Sequence, residues 1–152
     1  MAAARLATAD DAADIGRLLH DFNTEYDDYT PGPEVLAERI AAMIDAGEAT
    51  VVLAGDGPDG VGVLRFRRLV FHDGMHAYLE ELYVAPPKRG QGLGRAMLEL
   101  AMETSRANGA IWIELGTSED DVAARGLYES AGFINREGGP DGPVMFVYER
   151  EL

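Results

Sequence analysis

Residues 78–95, with the sequence YLEELYVAPPKRGQGLGR, decide the fold because they join a strand, a glycine-rich loop and a helix without interruption. The run YLEELYV is rich in aromatic and aliphatic side chains, which favour a strand. Pro86 and Pro87 end that strand, since proline removes a ladder N–H and fixes φ. Glycines then precede a helical pattern that begins near Leu93. Such a loop suits an anion, because its backbone N–H groups can approach a ligand and the helix N-terminus is partially positive.

Two well-known phosphate loops do not match this stretch. The P-loop requires a Lys and a Ser or Thr after its last glycine, where this chain has Arg95 and Ala96. The dinucleotide fingerprint requires a third glycine three places after a Gly-x-Gly pair, where this chain has Arg95 or Met97. We therefore expect a phosphate-binding loop of another kind.

Length, charge and composition limit the class of function. A chain of 152 residues is long enough for one domain with a sizeable core, so we expect a single domain over 1–152. A net charge of −14 disfavours nucleic acid and favours a basic partner such as an amine, although acidity can also serve solubility alone. The absence of cysteine excludes disulfides and an acyl-cysteine intermediate. With neither a long apolar run nor a signal region, we expect a cytoplasmic protein without a membrane partner.

Hydrophobic periodicity and turn residues predict the order of the elements. In chain order they are a strand at 5–8, helices at 11–23 and 35–47, strands at 50–54, 61–71 and 78–84, a helix at 93–108, a strand at 110–115, a helix at 119–130, and strands at 133–134 and 144–148. The short turn at 72–74 makes its two strands antiparallel, whereas a helical crossover makes the strand at 110–115 parallel to the central one. The order βααβββαβαββ predicts an α/β fold, a mixed sheet with helices on both faces.

The loop and the element order together resemble a known family. The pattern Arg89-x-x-Gly92-x-Gly94, after a strand that ends Leu-Tyr-Val, is similar to the pyrophosphate loop of the GNAT superfamily of acetyl-coenzyme A-dependent N-acetyltransferases. The element order agrees with the GNAT fold over nearly the whole chain. The resemblance implies acetyl-coenzyme A as the co-substrate.

A second motif of the family lies further along the chain. Family members carry Asn, then Ala three places on, then Tyr seven places on, followed by Gly-Phe. The same spacing here gives Asp121, Ala124, Tyr128, Gly132 and Phe133. Asp121 departs from the pattern, because the usual Asn contacts the pantetheine or pyrophosphate arm and a carboxylate repels a pyrophosphate.

The resemblance implies which residues hold coenzyme A. The pantetheine arm is expected on the backbone of Leu82, Tyr83 and Val84, where an N–H, that of Val84, polarises the thioester carbonyl. Asp121 and Ala124 are also expected to contact coenzyme A. The pyrophosphate is expected on the loop residues Arg89, Gly90, Gln91, Gly92, Leu93, Gly94 and Arg95.

The resemblance also implies catalytic groups. Tyr128 is expected to protonate the leaving thiolate, with orientation of coenzyme A as the alternative. Glu81 is expected to be the general base, with Glu80 second, and either could act through water. Strand alternation predicts these two carboxylates on opposite faces of the central strand. The alternative for each is a solvated or salt-bridged strand residue, for example one paired with Arg65, Arg67 or Arg68 on a neighbouring strand.

The acceptor site is expected where the first two helices and their connection meet the later strands. Rings and carboxylates there could hold a cation, although simple loop solvation is an alternative. The three histidines have no metal-ligand spacing, so we expect no metal. The expected acceptor residues are Phe22, Glu25, Tyr26, Tyr29 and Tyr78, and Asp27 and Asp28 also lie in this connection.

The sequence therefore predicts an N-acetyltransferase that moves acetyl from acetyl-coenzyme A to a primary amine of a small molecule, by direct transfer in a ternary complex. One alternative is a protein acetyltransferase that acts on lysine or N-terminal amines. Another is a non-catalytic coenzyme A-binding sensor, which the replacement at Asp121 motivates. A homodimer built on the third strand or the last strand pair is also open.

Overall fold

The computed structural model describes residues 3–152, whose contacts divide into two compact units, one up to Leu115 and one from Gly116 onward. We describe the two units separately. Short 3-10 turns at Ala9–Asp11 and Pro86–Lys88 precede α1 and α3. The first unit contains β1 (Ala4–Leu6), α1 (Ala12–Glu25), α2 (Pro33–Asp45), β2 (Thr50–Ala54), β3 (Gly60–Arg68), β4 (Met75–Val84), α3 (Leu93–Ala107) and β5 (Ala110–Leu115), and the second contains α4 (Val122–Ser130).

The first unit is organised by one mixed sheet with the strand order β1-β2-β3-β4-β5. The first four strands pair antiparallel, whereas β5 pairs parallel to β4 after the crossover through α3. This confirms the predicted α/β class, the predicted antiparallel β3–β4 hairpin and the predicted parallel direction of β5. The prediction of a single domain over 1–152 stays a prediction.

Alternating residues of β2 feed two apolar cores on opposite faces of the sheet. Val51 and Leu53 pack with Ile15 of α1 and Ile40 of α2. Val52 and Ala54 pack instead with Leu93 and Met97 of α3. The sheet therefore carries helices on both faces, because a strand with apolar side chains at every position buries both of its sides.

The β3–β4 hairpin differs from its predicted limits. β4 begins at Met75 rather than at residue 78, and Leu69 N–H donates to the carbonyl of Gly74 at 3.1 Å to close the turn. The first residues of β4 read as a turn in the sequence, since Asp73 and Gly74 precede them. Pairing with β3 and β5 extends the strand through them.

The predicted strand pair at 133–134 and 144–148 does not form as two strands. In the second unit, one isolated bridge joins Arg136 to Val144, and Met145 N–H donates to the carbonyl of Asn135 at 2.8 Å. The turn between them contains Gly138 and Gly139 with φ of 75° and 132°, so the chain reverses near there. Residues 146–148 have the β-forming side chains that suggested a strand, but the ladder stops after the bridge.

Candidate active site

The edge of β4 opens beyond Leu79. Pairing between β4 and β5 runs from Met75 with Ala110 to Leu79 with Leu115, where β5 ends. β4 continues to Val84, so residues 81–84 pair with β3 on one edge, and residues 80–84 have no β5 partner on the other. Leu82, Tyr83 and Val84, the predicted pantetheine strand, lie in this open segment.

The glycine-rich loop turns directly into α3. Gly90 and Gly92 have φ of 77° and 84°, the left-handed region that glycine tolerates best, and Gly92 is the N-cap of the helix. The first N–H groups of a helix have no intrahelical partner, so they are available to an anion. A Cβ built on Gly90 meets no atom within 4 Å, which leaves the backbone approachable from that side.

The predicted loop residues differ in which of their groups a ligand can reach. Leu93 is 7% exposed and packs in the core with Val52, so only its backbone can reach a ligand. Gln91 and Arg95 are exposed, and Gly94 lies in the first turn of α3. Gln91 and Leu93 also help to line a cavity of ≈ 560 Å³ next to the loop, together with Lys88 and Arg5.

Arg89 and Glu25, predicted for two different sites, are joined to each other. Arg89 Nη2 donates to Glu25 Oε1 at 2.8 Å, and Arg89 Nε donates to the carbonyl of Val84 at 3.0 Å. The Tyr83 hydroxyl donates to the same Glu25 oxygen at 3.2 Å, and the Arg89 guanidinium lies 5.7 Å from the centre of the Tyr83 ring. Burial and the Glu25 carboxylate raise the pKa of Tyr83 to about 12. The Arg89 guanidinium therefore lies against the carboxyl end of β4.

A bulge in β4 overturns the prediction that Glu80 and Glu81 lie on opposite faces. Val63 pairs with Glu81 but the next residue of β3, Leu64, pairs with Leu79, so Glu80 is the extra residue. Arg65, two places after Val63 and therefore on the same face of β3, bonds Glu80 at 3.3 Å. The bulge thus brings both carboxylates to one face of the sheet. The ion pair between Glu80 and Arg65 is the alternative to a catalytic role that the sequence left open for Glu80.

Glu81 has the properties of an acid–base group. It is half-buried, and burial, followed by the nearby carboxylates of Glu80 and Asp28, raises its pKa to about 7. Asp28 lies in the α1–α2 connection, where Asp27 has a φ of 56°. The acidic set around Glu81 favours the approach of a cation.

The predicted acceptor residues do not form one group. Phe22 stacks on Tyr83 with ring centroids 4.9 Å apart, and Tyr26 lies edge-on to Phe22 at 5.5 Å. Glu25 is bonded as described above. Tyr29 is 81% exposed, while Tyr78 lines a separate cavity further along β4.

That cavity contains residues to which the sequence assigned no site. It has a volume of ≈ 230 Å³ and is lined by Arg65, Phe66, Arg67, His76, Tyr78 and Glu114. The pairing of Arg65 with Tyr78 and of Arg67 with His76 brings them together across the hairpin. Alternation of Arg at 65 and 67 is visible in the sequence, but the pairing register that turns it into a site is not.

The second unit holds the other predicted residues. Asp121 is the N-cap of α4, and its carboxylate accepts a hydrogen bond from Ala124 N–H at 3.1 Å. Tyr128 lies 6.1 Å from Phe133, ring to ring. Burial, with the Asp121 carboxylate second, raises the pKa of Tyr128 to about 12. The aspartate at the unusual position thus stabilises the helix that carries Tyr128.

Residues 3–152 contain no group of three His, Cys, Asp or Glu side chains placed to hold a metal ion. Within the same range, no helix is long and apolar enough to cross a membrane.

The profile of the acetyltransferase (GNAT) family matches residues 15–133, which include β4, the glycine-rich loop and α4. The chain belongs to the acetyltransferase (GNAT) family. The resemblance inferred from the sequence is therefore confirmed. This GNAT protein keeps the strand, loop and helix order on which that inference rested.

Relatives of this GNAT protein differ in how much of the chain they match. A crystal structure assigned to an acetyltransferase of Arthrobacter sp. FB24 is 42% identical, has a TM-score of 0.89, and covers 98% of this chain and 95% of that chain. Thialysine N-epsilon-acetyltransferase of Caenorhabditis elegans is 22% identical over 130 residues, which are 84% of this chain and 80% of that protein. Mycothiol acetyltransferase of Beutenbergia cavernae is 41% identical over 56 residues, 35% of this chain but only 19% of that enzyme.

Proposed function

We propose that this GNAT protein is a cytoplasmic N-acetyltransferase that moves acetyl from acetyl-coenzyme A to a primary amine of a small molecule, directly and in a ternary complex. The observation that carries the proposal is Glu81, whose pKa is raised to about 7 on the strand whose edge opens at residues 80–84. A group with a pKa near neutrality is suited to general acid–base catalysis. The family supports acetyl transfer.

The residues present fit acetyl-coenzyme A as co-substrate. The loop from Arg89 to Arg95 offers positive-φ glycines and a helix N-terminus to a pyrophosphate, and the open edge of β4 offers backbone groups to an extended arm. When bound, acetyl-coenzyme A supplies a thioester whose acetyl carbon bonds to the amine nitrogen as the C–S bond breaks. Val84 N–H is assigned to the thioester oxygen, by its place on that edge.

In the proposed reaction, two side chains transfer protons. Glu81 takes a proton from the acceptor ammonium, so that the nitrogen lone pair is free to attack. Tyr128, whose pKa of about 12 keeps it protonated at neutral pH, is assigned by its motif to give a proton to the departing sulfur. Solvent then restores both groups.

A cationic, small acceptor is supported by charge and by size. Glu80 and Asp28 add negative charge around Glu81, which attracts an ammonium group. The cavity of ≈ 230 Å³ that includes Tyr78 suits a small molecule better than a folded protein surface.

The first test is calorimetric titration of the protein with acetyl-coenzyme A and with coenzyme A, comparing wild type with Gly92→Glu. We expect micromolar binding in the wild type and a loss of at least about 100-fold in the variant, because a carboxylate then stands in the anion loop. Gly109→Glu is a matched control, since Gly109 has a φ of 82°, close to the 84° of Gly92, but lies at the other end of α3. It should fold less stably yet bind normally.

An absence of binding in the wild type overturns the proposal. Binding without acetylation of any amine in a panel of diamines, amino acids and aminoglycosides would instead favour the sensor alternative.

A further inference from the structure

The cavity that includes Tyr78 lies on the same face of the sheet as Glu81. Arg65 follows Val63 by two places on β3, and Val63 pairs with Glu81. Arg65 in turn pairs with Tyr78, which pairs with Glu114 of β5. The bulge at Glu80 makes this possible, because it shifts the alternation of β4 by one residue.

The cavity has a cationic side and an anionic side. Arg67 is exposed at its rim and has no hydrogen-bond or ion-pair partner among residues 3–152, so its charge is uncompensated. Arg65, by contrast, is held by Glu80 at 3.3 Å. Glu114, with a side chain 60% exposed, supplies the carboxylate opposite.

His76 adds a buried ring that bonds Glu114 through one nitrogen and has no partner at the other. The residue is 8% exposed, and its Nε2 lies 3.2 Å from Glu114 Oε1. Since the carboxylate can only accept, Nε2 is the protonated nitrogen and donates to it. Nδ1 of the neutral ring is then an acceptor, and no group in the described chain donates to it. Nδ1 is itself shielded from the cavity, so the group of this pair that a ligand can reach is the Glu114 carboxylate, which the Nε2–H orients.

We propose that this cavity binds the head group of an α-amino acid, with Arg67 donating to the carboxylate and Glu114, oriented by His76, accepting from the α-ammonium, while a second, side-chain amine reaches Glu81. A guanidinium binds a carboxylate through parallel N–H groups, and the two signs in the cavity match a zwitterion. The acceptor is therefore a diamino acid. This inference rests on the proposed acetyltransferase function.

The spacing along β4 agrees with such a ligand. Glu114 pairs with Tyr78, three positions before Glu81, so the ammonium end of the head group lies at most about 10 Å from Glu81 at about 3.3 Å per residue, and the bulge shortens this span. Arg67, at the carboxylate end, pairs with His76, two positions further along β4. Long side chains at both ends reduce the distance further. An extended side-chain amine can bridge it.

The test compares three acceptors, each at saturating acetyl-coenzyme A. L-lysine carries both head groups, 1,5-diaminopentane lacks the carboxylate, and Nα-acetyl-L-lysine lacks the α-ammonium. We expect kcat/KM for lysine to exceed that of each analogue by at least tenfold, mainly through KM. Arg67→Gln should lower kcat/KM for lysine by at least tenfold and so remove its advantage over the diamine.

Arg68→Gln is the matched control, because Arg68 adjoins Arg67 on β3 but does not line the cavity. Circular dichroism of each variant checks the fold. Equal use of lysine and the diamine by the wild type overturns the inference while leaving the acetyltransferase proposal intact, and so does an Arg67→Gln variant that loses both substrates equally.

A binding measurement covers the case in which no amine is acetylated. The His76 ring resonance, assigned with His76→Gln, should shift saturably when L-lysine is added to wild type with coenzyme A, and should not shift with Nα-acetyl-L-lysine, which lacks the α-ammonium. If L-lysine and L-ornithine leave it unmoved, the inference is wrong, whatever titration with acetyl-coenzyme A shows.

Discussion

Arg89 Nη2 donates to Glu25 Oε1 at 2.8 Å, which ties the loop after β4 to the last residue of α1. The side chains are 43% and 28% exposed, so solvent screens the pair and it contributes about 0–1 kcal/mol to stability. Its larger consequence is orientation. Glu25 holds the guanidinium over Tyr83 and at the carbonyl of Val84, where it meets the open segment of β4.

Glu25→Gln should free Arg89 and tighten binding of coenzyme A a few-fold, because the guanidinium then has no carboxylate to compete with a phosphate. The free energy of unfolding should fall by at most about 1 kcal/mol. The pKa of Tyr83 should fall from about 12, since the carboxylate that helps to raise it is gone. Calorimetry, urea denaturation and an NMR titration of the Tyr83 ring measure the three effects.

Glu38→Gln, an exposed residue of α2, removes the same charge elsewhere and is the control. Weaker binding in Glu25→Gln alone would mean that Glu25 orients Arg89 toward the ligand rather than away from it.

Acetylation should depend on pH through Glu81. Its raised pKa predicts that kcat/KM increases as pH rises through about 7, and Glu81→Gln should abolish this limb and most of the activity. Glu80→Gln should move the midpoint to lower pH, because one of the carboxylates that raises the pKa is removed. Rates from pH 5 to 9 test this, with Glu103→Gln on α3 as a control of equal charge. An unshifted midpoint in Glu80→Gln contradicts the assignment.

The same group should make stability depend on pH. Its folded pKa of about 7 lies above the reference value of 4.5, so the folded protein binds this proton more tightly than the unfolded chain. The stabilisation is complete below about 4.5 and is lost as pH rises through about 7. The difference in unfolding free energy between wild type and Glu81→Gln, measured in urea across that range, should decrease with pH. A flat difference would show that the carboxyl titrates normally.

Asp121 should stabilise α4 as its N-cap residue. Asp121→Ala should cost about 1 kcal/mol in stability, whereas Asp121→Asn should cost little because Asn caps equally well. The Asn variant also removes a negative charge, so the pKa of Tyr128 should fall and binding of coenzyme A should tighten. Circular dichroism with urea measures the first effect and calorimetry the second. Weaker binding in Asp121→Asn would show that the carboxylate itself serves the ligand.

Tyr128→Phe separates proton donation from ligand orientation. Because Tyr128 is assigned as the general acid, removing its hydroxyl should reduce kcat by about 100-fold or more. The affinity for coenzyme A should stay within about twofold. Tyr148→Phe, at an exposed position of the second unit, is the control. A loss of affinity with little change in kcat supports the orienting alternative instead.

Local patterns predicted much of the fold and part of the candidate site. The glycines before Leu93 predicted a loop and helix start, and the structure has Gly92 as the N-cap of α3. The helical crossover predicted that β5 runs parallel to β4, as it does. The last strand pair was predicted from side-chain propensity, which is weak evidence for a strand because pairing partners decide whether a ladder extends.

The sequence by itself determined the order of the elements, the glycine-rich loop and the family motifs, because these depend on φ, on periodicity and on spacing between neighbours. Only the tertiary structure decided that Glu80 and Glu81 share a face and that Arg89 bonds Glu25. It also decided that Arg67, His76 and Glu114 line one cavity. These relations depend on strand register and on contacts between residues far apart in the chain, and a one-residue bulge is enough to change which side chains meet.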